Sequence, residues 1–435
     1  MDKRKKLLMI AYYFPPVGTI AFLRNFHIAK SLAAFFDRVH VITIKNNPLP
    51  LDVEINTRFV SVHKVFNFDY RNVKFLFSKK RKSGAPKGAI TYSRWQKVMI
   101  KILDSFPTNV IFGEGGIIYI VLSVLKGAFM IKRKKITHIF SSFRPMADHV
   151  IAYHLKMLFP RLHWTADFRD PPVDPNRDNV YLKKLQWWFL KKITGKADLV
   201  ITVSGGVKSH FARQRIKAVT LENGIYELFD DVDKTKYLKF TLSFTGSIYP
   251  GLHDPGVLFE AVRKLKDKNM IVPEAFRMIY AGKDSALWNE WVARYGIQDF
   301  SVDMKKVSLR EAVQIQYKSH VNILFSWSGK DVHGLLSGKL FEYLATRNPV
   351  FAIINGEKDP EFERFFTKLN AGWVFYPSDA EKIENILLEL YFQWLKTGKI
   401  KHYYNLAALQ QYTWHERAKK LLALMQGDGD TGDGA

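Results

Sequence analysis

The sequence has no cysteine. That excludes disulfides, thiol nucleophiles and cysteine-ligated zinc, and it is consistent with a cytoplasmic setting. Long apolar runs are missing too. The longest, Ile117 to Ile131, is broken by Lys126 and Gly127 and is too short to span a bilayer. The opening M-D-K-R-K-K-L-L-M-I-A-Y-Y-F-P-P mimics a signal peptide, but its apolar run is short, Pro15-Pro16 ends it, and no small-residue cleavage site follows. A first buried strand is the expectation there. The phosphate fingerprint G-x-G-x-x-G is absent, so a dinucleotide is not signalled. Acidic residues are scarce: 41 Asp and Glu face 66 Lys and Arg, a formal charge of +25. Such a field favours a polyanionic partner, whether nucleic acid, an anionic membrane surface or a phosphorylated substrate.

What is present is the composition of a globular chain. Its 435 residues suffice for two domains with full cores, and 47% of them are hydrophobic. Aromatics are abundant, with 33 Phe, 19 Tyr and 10 Trp. Basic plus aromatic suits an interfacial membrane surface as well as nucleic acid. No nucleic-acid recognition module is visible and the basic residues are dispersed, so specific nucleic-acid binding is not expected.

Along the chain, apolar runs alternate with helical spacing. Lys6 to Phe14 reads as a buried strand, Ile20 to Phe36 as a helix, and Arg38 to Lys45 and Phe59 to Val65 as strands. Residues 67–135 interleave basic and large apolar residues. Within them Tyr92 to Leu103 puts Trp95, Val98, Met99 and Ile102 on one side of a helix. That helix either lies in the interface of an anionic membrane or packs on its own domain with a solvated basic face. His138 to Ser142, His163 to Asp170, Asp198 to Ser204 and Ala218 to Glu222 read as further strands, with helices over Met146 to Leu158, Tyr181 to Thr194 and Val207 to Arg215. Asn223-Gly224 reads as a tight turn. The pattern lapses in the charged segment Asp230 to Lys239 and then restarts. Asp254 is expected to cap a helix with Pro255 at its first position, and Ser308-Leu309-Arg310-Glu311 is a capping box. Alternation of this kind implies an α/β fold: two Rossmann-like domains with mainly parallel sheets. The expected division is 1–232, with a basic-aromatic insertion at about 67–135, then 233–405, a terminal helical segment 406–426, and a disordered acidic tail 427–435.

One stretch carries the chemistry. Gly334 to Ala345, G-L-L-S-G-K-L-F-E-Y-L-A, lies between two apolar runs, Val321 to Trp327 and Pro349 to Ile354. Those read as parallel strands around a short helix. Ser337 is a natural N-cap and Lys339 falls in the first turn. Free N–H groups and an ammonium make a ready anion site. Glu342, three residues on, leaves the same side of the helix. A cation for phosphate and a carboxylate for sugar hydroxyls suit a nucleotide-sugar; a surface Lys–Glu pair is the plain alternative. Two candidate ligand pairs, Asp167-x-x-Asp170 and Asp331-x-His333, lack a clear third member at metal-ligand spacing and are read as structural.

Y-Y-F-P-P-V-G-T, A-D-L-V-I-T-V-S, E-N-G-I, T-G-S-I-Y, S-G-K-L-F-E-Y-L-A and the terminal Y-T-W-H-E-R-A-K-K-L-L, in that order, resemble the family 4 glycosyltransferases. The resemblance implies the GT-B fold, two Rossmann-like domains facing a central cleft, with the last helix crossing back to the first domain. It implies transfer from a nucleotide-sugar donor to a glycan or lipid-linked acceptor in cell-surface polysaccharide synthesis, retaining and metal-independent. No cofactor is implied, the nucleotide-sugar being a substrate. Glu342 matches the second glutamate of the family's E-x7-E motif, which holds the ribose. Lys339, Ser337 and Gly338 match the diphosphate cradle, and Gly246 and Ser247 its partner loop. The first glutamate falls at Gly334, and Ser247 stands where arginine is common, so both departures leave the donor contacts open. His149 is the main polar candidate of the first domain, read as catalytic, with a satisfied helix-end histidine as the alternative. Gly18, Arg24, Asp167 and Arg169 are candidates for the acceptor. The alternatives there are a solvated Arg24 and an ion-pair cluster fixing the turn at Pro171-Pro172. With the charge excess, the expected location is cytoplasmic, peripheral on the inner face of an anionic membrane. A non-catalytic GT-B-like binding protein is the rival reading.

Overall fold

The computed structural model describes residues 5–17, 21–45, 55–68, 94–103, 105–173, 182–329 and 332–427, with the backbone alone at 96, 97 and 100. The chain divides into two compact units: Met1–Glu222 with Arg417–Ala435, and Asn223–Glu416.

The first unit runs β1 (Lys6–Ile10), α1 (Phe22–Leu32), β2 (Arg38–Ile44), β3 (Ser61–Val65), α2 (Arg94–Leu103), α3 (Thr108–Ile111), α4 (Gly116–Lys134) and β4 (His138–Phe143). It continues with α5 (Met146–Leu158), β5 (His163–Phe168), α6 (Lys183–Thr194), β6 (Leu199–Thr202), α7 (Gly205–Arg213) and β7 (Val219–Thr220). Its seven strands form one sheet in the order β3-β2-β1-β4-β5-β6-β7. Every pairing is parallel; Leu7, for example, sits opposite Val39 on one side and His138 on the other. Parallel strands covered by helices on both faces lose their alternation, which is why Leu7, Leu8, Met9 and Ile10 are all fully buried. The strand order reverses between β1 and β4, and the loops after these two strands meet at the carboxyl edge.

The second unit repeats the plan. It comprises β8 (Phe240–Thr245), α8 (Gly256–Asp267), β9 (Phe276–Ala281), α9 (Ser285–Arg294), β10 (Ser301–Asp303), α10 (Leu309–Lys318) and β11 (Val321–Ser328). Then follow α11 (Gly338–Thr346), β12 (Val350–Gly356), α12 (Pro360–Leu369), β13 (Gly372–Phe375), α13 (Ala380–Thr397) and α14 (Leu406–Gln410); the last helix, α15 (Trp414–Gln426), starts in this unit and belongs to the first from Arg417 on. Six parallel strands order as β10-β9-β8-β11-β12-β13. Here the order reverses between β8 and β11, so the loops after β8 and β11 meet at one edge. The expected capping box at α10 is present, with Ser308 and Glu311 bonded reciprocally.

Several boundaries differ from the sequence reading. The division falls after Glu222, not at 232/233, because the connector is built on the second unit. Ile225 donates its N–H to Tyr412 O (2.8 Å), Tyr226 to Phe341 O (3.3 Å), and Val232 packs with Val313 and Tyr317. Asn223-Gly224 is not a turn: the backbone runs on without one, and Gly224 lies against the Trp414 ring, where a Cβ would collide. The terminal segment is split as well. Residues through Glu416 stay with the second unit, and Arg417 onward joins the first, where Arg417 pairs with Glu222 at 2.7 Å. Asp254 accepts from the Gly256 N–H at 2.7 Å, and Pro255 precedes α8 rather than opening it. The central part of the insertion, residues 69–93, and the tail from 428 lie outside the described residues.

Candidate functional site

In the second unit the reversal of strand order brings together the loop after β8 and the start of α11. The Gly246 backbone, at φ 140°, passes so close to α11 that a Cβ there would lie 3.5 Å from Lys339 Cε. Such a φ is open to glycine and strained for other residues. Ser247 follows it, half-buried. At α11, Ser337 occupies the N-cap position, but its hydroxyl makes no capping bond. The N–H groups of Gly338 and Lys339 are therefore left to other partners, with the positive end of the helix behind them.

Lys339 and Glu342 form an ion pair of 2.6 Å. It is not the surface pair of the plain reading, because Glu342 is 2% exposed and the Lys339 side chain 18%. Gln316 of α10 donates to the same oxygen of Glu342 (3.2 Å) and to Thr245 Oγ1 (2.8 Å). The Tyr343 hydroxyl, also buried, accepts from the Thr245 N–H at 3.3 Å. The other oxygen of Glu342, Oε1, is buried with no hydrogen-bond partner among the described residues. A buried carboxylate oxygen left unpaired is costly, so it marks an acceptor waiting for a donor. Burial works against the charge on Lys339, but the Glu342 carboxylate and then the Tyr343 hydroxyl outweigh it, and the net pKa is raised. The corner therefore offers a fixed cation, a helix terminus and an open acceptor together. Tyr343 is the next residue of the same helix, whereas Gln316 and Thr245 join from α10 and β8, and no local pattern marks those two.

In the first unit the candidates are drawn inward. His149 is fully buried, its Nδ1 is 2.7 Å from Ser141 Oγ, and its ring lies 4.4 Å from that of Phe168. Burial pushes its pKa down to about 3, so it is neutral. Its Nε2, like Glu342 Oε1, is buried with no hydrogen-bond partner among the described residues, so the aromatic packing fixes the ring without using that nitrogen. Arg24 and Asp167 are likewise sealed, at 3% and 0% exposure. The guanidinium donates to the carboxylate through Nε (3.0 Å) and Nη2 (2.7 Å), and again to Leu221 O at 2.9 Å. Ser142 donates to Asp167 at 2.9 Å. Neither residue is placed to contact an acceptor, and Arg24 is not solvated; the pair ties α1 to β5. Arg169 is half-buried, donates to Ala21 O and to Arg144 O (3.2 Å), and lies over the Tyr13 ring. Gly18 and Asp331 lie outside the described residues. Among the described residues no three His, Asp or Glu side chains gather as a metal site would need.

No model of a known protein family and no curated protein matches the sequence. Solved structures do match. A glycosyltransferase from Rickettsia africae aligns over 99% of this chain and 100% of its own, with TM-score 0.57 and 14% identity. The lipopolysaccharide outer core galactosyltransferase WaaB aligns over 97% and 99%, with TM-score 0.54 and 10% identity. A mutant of TarM from S. aureus, in complex with fondaparinux, α-GlcNAc-glycerol and UDP, aligns over 97% and 99%, with TM-score 0.56 and 10% identity. The fold is GT-B. Within this GT-B chain, Gly334 stands where the resemblance expects a glutamate. It has φ 60°, and a Cβ there would run into the carboxyl group of Glu361, in the first turn of α12. A carboxylate thus fills the space a residue-334 side chain would enter, delivered from another element.

Proposed function

We propose that the protein is a glycosyltransferase. It moves a sugar from a nucleotide-sugar to a glycan or lipid-linked acceptor in cell-surface polysaccharide synthesis, with retention and without a metal, on the cytoplasmic face of a membrane. The observation that carries this is the Lys339–Glu342 pair at the start of α11, with one carboxylate oxygen unpartnered, in a GT-B fold. In the reaction the acceptor oxygen bonds to the anomeric carbon while the bond from that carbon to the diphosphate oxygen breaks, and the acceptor proton is released. Charge grows on the leaving diphosphate. Lys339 keeps donors beyond the one that meets Glu342, and with the Gly338 and Lys339 N–H groups it would stabilise that charge. Glu342 Oε1 would accept from a donor hydroxyl. The ligands named for TarM and the galactosyl transfer named for WaaB support the surface-glycan reading by analogy of fold.

The test is a calorimetric screen of nucleoside diphosphates and their sugars on wild type and Lys339→Ala. One nucleotide should bind, and the variant should lose about ten- to a hundredfold in affinity. No binding to folded wild type would sink the donor site. Gly334 and Ser247 favour the second reading, a non-catalytic GT-B-like binding protein. Turnover of a nucleotide-sugar that is abolished in Glu342→Ala would exclude it.

A further inference from the structure

Helix α4 is inverted on one side. Its inner residues Gly116, Tyr119, Ile120, Ser123, Gly127, Met130 and Ile131 are buried, and Gly127 fits against Leu155 of α5. Its outer side should then be polar, as on an ordinary surface helix. Instead Ile117, Ile118, Val121, Leu122, Leu125 and Phe129 are exposed, Leu125 at 63% and Phe129 at 59%. At about 100° per residue these six fall within an arc of roughly 140°. The helix ends in Lys132, Arg133, Lys134 and Lys135, and Arg133 lies over the Phe129 ring.

The neighbouring elements extend the same character. On α2, Trp95, Val98, Met99 and Ile102 are exposed, Trp95 at 76%. The packed-helix alternative for this segment is therefore set aside. Phe106, between α2 and α3, meets Phe189 of α6, whose Leu185 and Trp188 are also exposed beside Lys191 and Lys192. Between residues 94 and 135 the sequence has eight basic residues and two acidic ones, Asp104 and Glu114. Glu114 is engaged by the Tyr13 hydroxyl at 2.9 Å.

Apolar area of this extent rimmed by cations marks an interaction surface, and its charge selects the partner. We propose that the outer face of α4, extended by α2, docks on the anionic headgroup layer of a lipid bilayer. The helix lies in the interface and does not cross it. Its inner face is committed to the protein, and no described helix is long and apolar enough to span. Leu125 and Phe129 enter the acyl boundary while Lys132 and Arg133, both exposed, meet lipid phosphates. This surface stands on its own residues and does not depend on the transfer reading.

Flotation with phosphatidylcholine vesicles, with and without phosphatidylglycerol, tests it on the full chain. Wild type should bind the mixed vesicles and release at high salt. Leu125→Gln with Phe129→Gln should weaken binding about tenfold or more. Lys132→Gln with Arg133→Gln should cost about fivefold per cation on mixed vesicles. Both pairs are at the surface, so melting temperatures should match wild type, and nucleotide binding should be unaffected in either case. Vesicle binding unchanged in both variants, or equal binding with and without phosphatidylglycerol, would overturn the proposal. So would a wild-type dimer that Leu125→Gln with Phe129→Gln converts to monomer, which would make the face a contact between copies.

Discussion

Lys339 Nζ lies 2.6 Å from an oxygen of Glu342, and the carboxylate is the more deeply buried partner. The pair is therefore asymmetric. Lys339→Met leaves a buried carboxylate with Gln316 as its remaining donor, whereas Glu342→Gln leaves an ammonium that can still reach water. An unpaired buried charge is the costlier result. Lys339→Met should lose roughly 2–4 kcal/mol of unfolding free energy, and Glu342→Gln about 1 kcal/mol. Urea unfolding of both variants checks this, and equal losses would refute the asymmetry.

Arg24 and Asp167 pose the same question without solvent on either side. Arg24→Met should cost about 3–5 kcal/mol, because among the described residues Asp167 then keeps only the Ser142 hydroxyl. Adding Asp167→Leu removes the stranded charge, and the double variant should recover most of that loss. A double variant no more stable than Arg24→Met alone would show that the pair is not what holds α1 to β5.

The alternation of strands and helices was legible in the sequence because buried parallel strands are short apolar runs, and Lys6 to Ile10 and Val321 to Ser328 stand out as such. The position of Lys339 was legible for a similar reason: cap, glycine, lysine and glutamate lie within six residues of chain, 337 to 342. The depth of Glu342 was not. Gln316 and Thr245 reach it from 26 and 71 positions apart along the contacts that link them, and a local pattern carries no trace of that. Arg24 misled in the other direction. Arginine is ordinarily at the surface, and nothing near residue 24 announces a carboxylate 143 positions away. His149 showed its helix-end position but not the aromatic rings around it.

Gly334 and Glu361 compete for one volume. Gly334→Glu should be destabilising by about 1–3 kcal/mol, chiefly because it puts a side chain at positive φ, with a smaller part from displacing the Glu361 carboxyl group, the mobile end of a half-buried side chain. Gly334→Glu with Glu361→Gly frees the space and should recover the packing part of the loss, though not the backbone strain. Glu361→Gln alone should leave the fold intact. If the carboxylate serves a bound sugar, affinity for a nucleotide-sugar should fall while that for the bare nucleoside diphosphate holds. Equal stability of the single and double Gly334 variants, measured by thermal unfolding, would remove the steric argument.

Asp148, at the start of α5, gives the clearest pH signature. Its carboxylate is fully buried and accepts from the Tyr12 N–H at 2.8 Å and the Tyr119 hydroxyl at 3.0 Å. Burial raises its pKa from 3.8 to about 7, against the pull of those two hydrogen bonds and of Arg169. A folded pKa above the unfolded one means that the folded protein holds the extra proton. The stabilisation from this group is complete below about pH 4 and is lost as pH rises through 7, a swing of roughly 4 kcal/mol. Buried His27 and His149 act the other way. Burial lowers both to about 3, so they cost stability as pH falls below 6.5. The raw curve can therefore look flat, and the comparison with Asp148→Asn isolates the carboxyl. Asparagine keeps an acceptor for Tyr12, and its amide can donate to the Tyr119 oxygen. Unfolding free energies from pH 4.5 to 8 should show the variant gaining on wild type with rising pH and exceeding it above pH 7. Parallel curves would mean that Asp148 does not change its charge in this range.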